Sequence, residues 1–381
     1  MLSMLAAFLA GVVVAQDVAI RSDHPDKYVV VKGDTLWDIS GRFLDQPWQW
    51  PAIWHANPQI ENPHLIYPGD ELSLVYVDGV PQLRLNRAGN EKLSPSIRVV
   101  DRDSPINAIP LEKLEPFLRD VRVLSPDEFA NLPYIVANTE DRLTATYSDQ
   151  TFARGLNAQQ GDELVVARLY SIYDQTKDGI RRVLPKEHWK QVPNDRDRNE
   201  TLWNDTSPWN KRPKNPVGYE LVEVSRVRVK QTGDISVLDI LRDRTEVKEG
   251  DFILPLDSIG YDEVFQPHAM STVPENLRVV ATKDALYGVG HYQIVALNGG
   301  TNQGVESGHV FSVFRPGEKA DDRVGYRWGS FAEDSEIRLP DQFHALVMVF
   351  RTFGDISYAM VLDGDNLVRA HDKLRHPSER S

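Results

Sequence analysis

The sequence predicts an α+β protein: a small β-α-α-β module followed by a longer β-rich region of barrel- or sandwich-like character. Three observations predict it. A β-branched run at Tyr28–Val31 leads into apolar residues at helical spacing and then a closing strand, all within residues 28–76. Beyond Val77 the apolar residues alternate in short runs punctuated by turn residues, and helical spacing is scarce. A length of 381 residues with 41% hydrophobic content is enough for two or three domains with separate cores.

Composition excludes several classes of function. The 43 basic and 56 acidic residues leave a formal charge of −13, with no long basic run, so no nucleic acid partner is expected. The absence of Cys removes disulfides, thiolate metal sites and Cys nucleophiles. Leu2–Val14 is apolar but shorter than the ~20 residues a membrane helix needs, and no later segment reaches that length. Residues 1–15 are therefore expected to be a signal peptide, cleaved between Ala15 and Gln16, with 16–27 as a polar linker. No Lys or Arg precedes the apolar run, which departs from the usual charged start and leaves a buried N-terminal helix as the alternative.

Within the module, Tyr28–Val31 is the first strand. Leu36, Ile39 and Phe43 then give a helical face, with Asp34 as the expected cap. Pro51 suits the first turn of a second helix through Ala52, Ile53 and Trp54, which His55-Ala56-Asn57-Pro58 ends. Pro68-Gly69 forms a turn into the strand Glu71–Val75. Four of the eight Trp fall at 37, 48, 50 and 54; a core this small needs large apolar residues, so Trp37 and Trp54 are assigned to packing rather than to a sugar-stacking platform.

These residues carry a resemblance. YVVVKGDTLWDISGRF, the W-x-x-I-W-x-x-N pattern from Trp50 to Asn57, and ENPHLIYPGDELSL together resemble a LysM domain from end to end. The resemblance implies binding of N-acetylglucosamine-containing glycan strands, as in peptidoglycan or chitin, in a groove between two loops. One is Gly33-Asp34-Thr35-Leu36 and the other Asn62-Pro63-His64-Leu65-Ile66-Tyr67. A neutral N-acetylated sugar needs hydrogen-bond partners and an apolar floor for its methyl group; Thr35 and Asn62 would supply the first, Leu36 and Ile66 the second. Leu36 competes for a place in the core, and Gly33 and Gly69 for purely conformational roles. With two basic and six acidic residues, the module's affinity for glycan is not electrostatic.

The rest divides into a connecting region at 77–133 and β-rich domains at 134–270 and 271–381. Short strands are expected at Ser96–Val100, Asp162–Arg168 and Glu220–Val224, and short helices at Leu111–Leu118 and Pro126–Leu132. Lys186–Pro216, polar with Trp189, Trp203 and Trp209, reads as a long surface loop. Gly161, Gly250 and Gly308 each stand just before an apolar run, as turns feeding strands; chance and the frequency of Gly-Asp turns would produce the same echo.

Ordered segments in this region, among them SPSIRVVDRDSPINAIPLEKLEPFL, FQPHAM, GHYQIVALNGG and LVMVFRTFGDISYAMVLDG, resemble the secretin-associated LysM proteins of type IV pili. That resemblance implies a periplasmic, wall-associated protein whose partners are peptidoglycan and an outer-membrane secretin. LysM modules also occur on wall hydrolases, so a LysM-targeted hydrolase or its regulator is the alternative. The ten His show no H-E-x-x-H or other close metal-ligand spacing, and the carboxylate pairs Asp321-Asp322 and Glu333-Asp334 lie in polar, turn-like runs. Gly288-Val289-Gly290 lacks the third Gly of a dinucleotide loop. No catalytic residue, metal or cofactor is expected.

Overall fold

The computed structural model describes residues 18–55, 66–77, 79–86, 109, 114, 121–177, 179–183, 213–256, 265–282, 288–322, 336–364 and 366–379. The chain divides into two compact units, residues 1–108 and 109–381. No described helix is long and apolar enough to cross a membrane.

The first unit runs β1 (Lys27–Val29), α1 (Leu36–Phe43), α2 (Trp50–His55), β2 (Glu71–Val77) and β3 (Val80–Asn86). β1 and β2 pair antiparallel, which gives the expected β-α-α-β order, and β3 adds a third strand through a hairpin. Pro81 and the polar Gln82, Arg84 and Asn86 hide that strand in the sequence, yet Leu83 is fully buried in the module's core. The expected linker also contributes: Val18 and Ile20 pack on the same core, Ile20 bridges to Leu44, and the Arg21 N–H donates to the Phe43 carbonyl at 2.9 Å. Trp37, Trp48, Trp50 and Trp54 are each 3% exposed or less, so all four are core. The cap of α1 is Thr35 rather than Asp34; Thr35 and Asp38 form a reciprocal capping box.

The second unit opens with β4 (Val121–Leu124) and α3 (Pro126–Ala130), a short helix started by a Ser125–Glu128 capping box. There follow β5 (Tyr134–Asn138), β6 (Thr144–Ala145), β7 (Gln150–Arg154), β8 (Glu163–Thr176), β9 (Gly179–Val183), β10 (Pro216–Gln231), β11 (Ile235–Asp243), β12 (Val247–Lys248) and β13 (Phe252–Pro255). Then come β14 (His268–Ala269), β15 (Val279–Thr282), β16 (Ile294–Leu297), β17 (His309–Arg315), β18 (Lys319–Asp321), β19 (Glu336–Arg338), β20 (Gln342–Thr352), β21 (Ser357–Asp363) and β22 (Lys373–Arg375). The expected strand at Ser96–Val100, most of the helix at Leu111–Leu118 and the loop through residue 212 lie outside the described residues.

The strand pairings close two rings, which decides for barrels over a sandwich. In the first, β5, β7, β11, β10, β8 and β13 are each hydrogen-bonded to the next, and β13 returns to β5. In the second, β15, β16, β21, β20, β17 and β22 follow the same order. An Arg278–Lys373 bridge and backbone bonds close it. Each ring wraps its own apolar core, Ile135, Val166, Val227 and Ile253 in one and Val279, Phe311, Val347 and Leu374 in the other.

The rings are one design built twice. Closure of the first uses Ile135 N–H to the Asp251 carbonyl (2.8 Å), Gly250 N–H to the Ile135 carbonyl (2.9 Å) and Ile253 N–H to the Pro133 carbonyl (2.8 Å). The second repeats these bonds as Val279 to Asp372 (2.9 Å), His371 to Val279 (2.8 Å) and Leu374 to Leu277 (3.0 Å). Arg168 grips Asp251 through two nitrogens at 2.7 and 2.8 Å, and Arg315 grips Asp372 in the same way at 2.6 and 2.9 Å. In sequence, Gly-Asp-Ile-Ser recurs at 233–236 and 354–357, where β10 turns into β11 and β20 into β21. Of the three glycines in the weak echo, Gly161 and Gly308 are true counterparts, each seven residues before its Arg. At the position of Gly250 the second copy has His371, held at φ +74.

β9, which pairs with β8 of the first ring, lies against β15 of the second, and a buried polar cluster sits nearby. Glu220 on β10 is fully buried and accepts hydrogen bonds from the hydroxyls of Ser171 (2.8 Å) and Tyr173 (2.7 Å). Burial, and then the Glu220 carboxylate, push the Tyr173 phenol well above its ordinary value of 10.0. Tyr358 on β21 is raised likewise by burial, Glu220 and Tyr173, which places residues of both rings in one electrostatic cluster. Glu220→Ala strands two buried hydroxyls, and is expected to destabilise this unit by roughly 2–4 kcal/mol in denaturant unfolding. In the unfolded chain both phenols ionise near 10.0, while the fold keeps them protonated. Stability present below that pH therefore falls as pH rises above it, and tyrosinate absorbance should show two tyrosines that titrate only on unfolding.

Candidate functional site

The first site loop is built by the exit of the chain from β1. Val30 turns inward to the core while Val29 and Val31, on the alternate face, remain 52% and 53% exposed. Gly33 takes φ +98 with open space where a Cβ would stand, so this glycine serves backbone conformation rather than close packing. Asp34 then folds back, its carboxylate accepting from the Val31 N–H (2.9 Å) and the Tyr28 hydroxyl (2.8 Å). With the Asp34 N–H donating to the Val31 carbonyl at 3.2 Å, this reciprocal pair closes the turn that leads into α1. Burial and the bond to Asp34 raise the Tyr28 phenol, and the Arg42 guanidinium covers its ring at 4.5 Å from the centroid.

The second loop ends in the turn Tyr67-Pro68-Gly69-Asp70, where Asp70 N–H reaches the Tyr67 carbonyl at 3.0 Å and Gly69 has φ +93. The Asp70 carboxylate accepts from the Tyr67 N–H at 3.0 Å, which locks the turn. Two backbone bonds then tie the loops together: Val30 N–H to the Asp70 carbonyl (2.9 Å) and Gly69 N–H to the Val30 carbonyl (2.8 Å). Val30 and Gly69, 39 positions apart in sequence, thus join the two loops into one edge of the module.

Of the ten residues singled out from the sequence, six are described, and three of those six keep exposed surface. Gly33 is exposed, and Asp34 and Tyr67 are half-buried. Thr35 is 4% exposed and its hydroxyl is fully used, donating to Asp38 Oδ2 at 2.7 Å and accepting from the Asp38 N–H at 3.1 Å. Leu36 and Ile66 are fully buried in the core, so neither side chain forms the expected apolar floor. The reason is geometric: a residue that starts the inward face of α1, or that precedes the closing turn, is the one the small core needs. Asn62, Pro63, His64 and Leu65 lie outside the described residues. The apolar surface that does stand beside the loop is Val31, whose backbone meets Asp34 through both its N–H and its carbonyl. Strict alternation in the strand was the sequence signal for it, since Val30 inward places Val29 and Val31 outward.

Among the described residues near the loop edge, charged side chains are largely engaged. Asp34 is engaged by Tyr28 and the backbone, and the exposed Lys27 pairs with Glu71 at 2.8 Å. What the edge presents is backbone polar groups, a half-exposed phenol-bearing residue and a valine, a chemistry suited to a neutral, amphiphilic ligand.

Residues 28–75 match the LysM domain family. The LysM domain is a binding module for glycans of the peptidoglycan or chitin type, and it is not itself catalytic. A similar curated protein, the uncharacterized protein YqbP of Bacillus subtilis (strain 168), is 38% identical over 60 residues, 13% of this chain and 27% of that protein. The chain thus spans about a quarter of that relative's length.

Thr35→Ala and Val31→Asp should separate the roles of cap and surface. Loss of the cap is expected to destabilise the LysM module by about 1 kcal/mol, seen as faster hydrogen exchange at the α1 amides, with glycan affinity nearly kept. Val31→Asp changes an exposed side chain, so it should leave that exchange unchanged and weaken co-sedimentation with chitin or sacculi several-fold.

Proposed function

We propose that this protein is a non-catalytic scaffold of the periplasm, exported and wall-associated, that binds peptidoglycan glycan strands through its LysM module and tethers an envelope complex to the wall. The observation that carries the reading is the LysM match at residues 28–75, joined on one chain to a larger, separately folded β-rich unit. Glycan contact falls to the loops around Gly33–Leu36 and Asn62–Tyr67, with Val31 beside them. Backbone groups, rather than the Thr35 hydroxyl or the Leu36 and Ile66 side chains, meet the sugar.

The two-barrel unit is the partner-binding half, and an outer-membrane secretin of a type IV pilus is the partner. The ordered segments that resemble the secretin-associated LysM proteins lie largely in this unit, including the Phe265–Met270 segment and the β20–β21 hairpin. A modest glycan affinity is enough for such a tether. Holding the second surface near its target raises the effective concentration of that contact without any additional interaction.

Purified sacculi should sediment the full chain and leave a chain that begins at Ile109 in the supernatant, with no soluble muropeptides released in either case. Equal sedimentation of both would remove the module as the wall anchor, and muropeptide release abolished by one carboxylate substitution would make the protein a hydrolase. In a type IV pilus producer, crosslinking should recover the secretin with the full chain and lose it when residues 109–381 are deleted; pilus assembly indifferent to that deletion would end the secretin reading.

A further inference from the structure

Duplication of the barrel shows where the second copy departs from what the fold needs. In the first copy Gly161 turns the chain into β8, and Asp162 caps that turn by accepting the Gln159 N–H at 2.8 Å. In the second copy Gly308 makes the same turn into β17, and the capping position is His309, whose Nδ1 accepts the Glu306 N–H at 3.0 Å. An aspartate suffices for the turn, so the imidazole answers to something else.

Two neighbours indicate what. β14 pairs parallel to β17 with His268 opposite His309, and the ring centroids stand 4.6 Å apart. Glu306 joins them, so that a ligand atom from each of His268, Glu306 and His309 lies within 4.8 Å of the others. The Nδ1 of His268 donates to the Gln266 carbonyl at 2.9 Å, since a carbonyl can only accept. That bond fixes the tautomer and leaves Nε2 with a free lone pair, the arrangement in which a histidine ligates a metal. Gly308 makes the approach possible, because a Cβ there would collide with the Gln266 carbonyl and stand 3.0 Å from the His268 ring. Along the chain the two histidines are far apart, so close-spacing rules for metal motifs pass them over.

We propose that His268, Glu306 and His309 bind one divalent transition metal ion, of which Zn2+ is the natural occupant. Two imidazoles and one carboxylate suit a borderline ion, and they leave a coordination position for water. Coordination at His309 exchanges the hydrogen bond from the Glu306 amide for the metal bond, which keeps the affinity modest. The ion would clip the two-residue strand β14, otherwise held by a single short parallel pairing, onto the second barrel. This site does not depend on the glycan reading of the LysM module.

Isothermal titration of the full chain with ZnCl2, with MgCl2 as control, tests the proposal. One Zn2+ per chain should bind where Mg2+ does not, and the thermal transition of the barrel unit should rise with Zn2+. His268→Gln and Glu306→Gln alter exposed side chains, so each should keep its unliganded transition temperature. Each should lose at least about tenfold in Zn2+ affinity. No saturable Zn2+ binding, or equal binding by wild type and a variant carrying both His268→Gln and Glu306→Gln, would overturn it.

Discussion

Both barrels depend on one recurring interaction, a buried carboxylate just before the closing strand held by an arginine 83 or 57 residues earlier in the sequence but on the adjacent strand of the ring. Asp251 and Asp372 have side chains only 2% exposed, and each takes a two-pronged contact from Arg168 or Arg315. Each also accepts a backbone N–H, from Lys248 at 2.7 Å or Arg369 at 2.8 Å, while its own carbonyl receives the bond that closes the ring. Such a charge is costly to bury unless its oxygens are satisfied, and here the partners are an arginine on the neighbouring strand, β8 or β17, and a backbone amide of the closing turn itself. The pairing holds the closing turn against its neighbour strand, with the Asp251 or Asp372 carbonyl placed to receive the closing bond. Without closure each sheet would end in exposed edges able to pair with other chains.

Because closure is specified locally, the design tolerates duplication. The same six-strand order, the same three closing bonds and the same Arg–Asp grip appear twice, while the loops between strands diverge freely. His371 in place of Gly250 shows how far this goes: a left-handed position that favours glycine accepts a histidine because the surrounding bonds fix it. Fixed cores with variable turns also explain why the cluster at His268, Glu306 and His309 belongs to one copy alone. The turn before β17 keeps its shape with any acceptor, so its side chain is open to other uses.

The LysM module solves a different problem, that of building a core from few residues. Four tryptophans are buried, two of them, Trp50 and Trp54, in the cluster that the two short helices and the three-stranded sheet share, and even Leu36 and Ile66 in the site loops are drawn inward. What remains at the loop edge is mostly backbone, rigid because Val30, Gly69 and Asp70 bind one loop to the other. An edge of this kind suits a neutral ligand met through shape and amide groups.

The LysM module was legible in the sequence because its signals are local: a β-branched run, the Leu36–Ile39–Phe43 spacing, the Pro68-Gly69 turn. The N-cap was misplaced by one residue, since Asp34 and Thr35 both suit a cap and only the fold shows that Asp34 is engaged by Tyr28 and Val31. The division of site residues between core and surface was not legible either, because it depends on which way each loop faces after packing. For the rest, alternation and Gly turns determined that the region is β-rich, and even placed β8, β10, β13 and β17. The closed rings, their duplication and the meeting of His268 with His309 were decided by tertiary structure alone. Strand pairing joins residues far apart in sequence, and alternation records which face of a strand is buried but never which strand lies beside it.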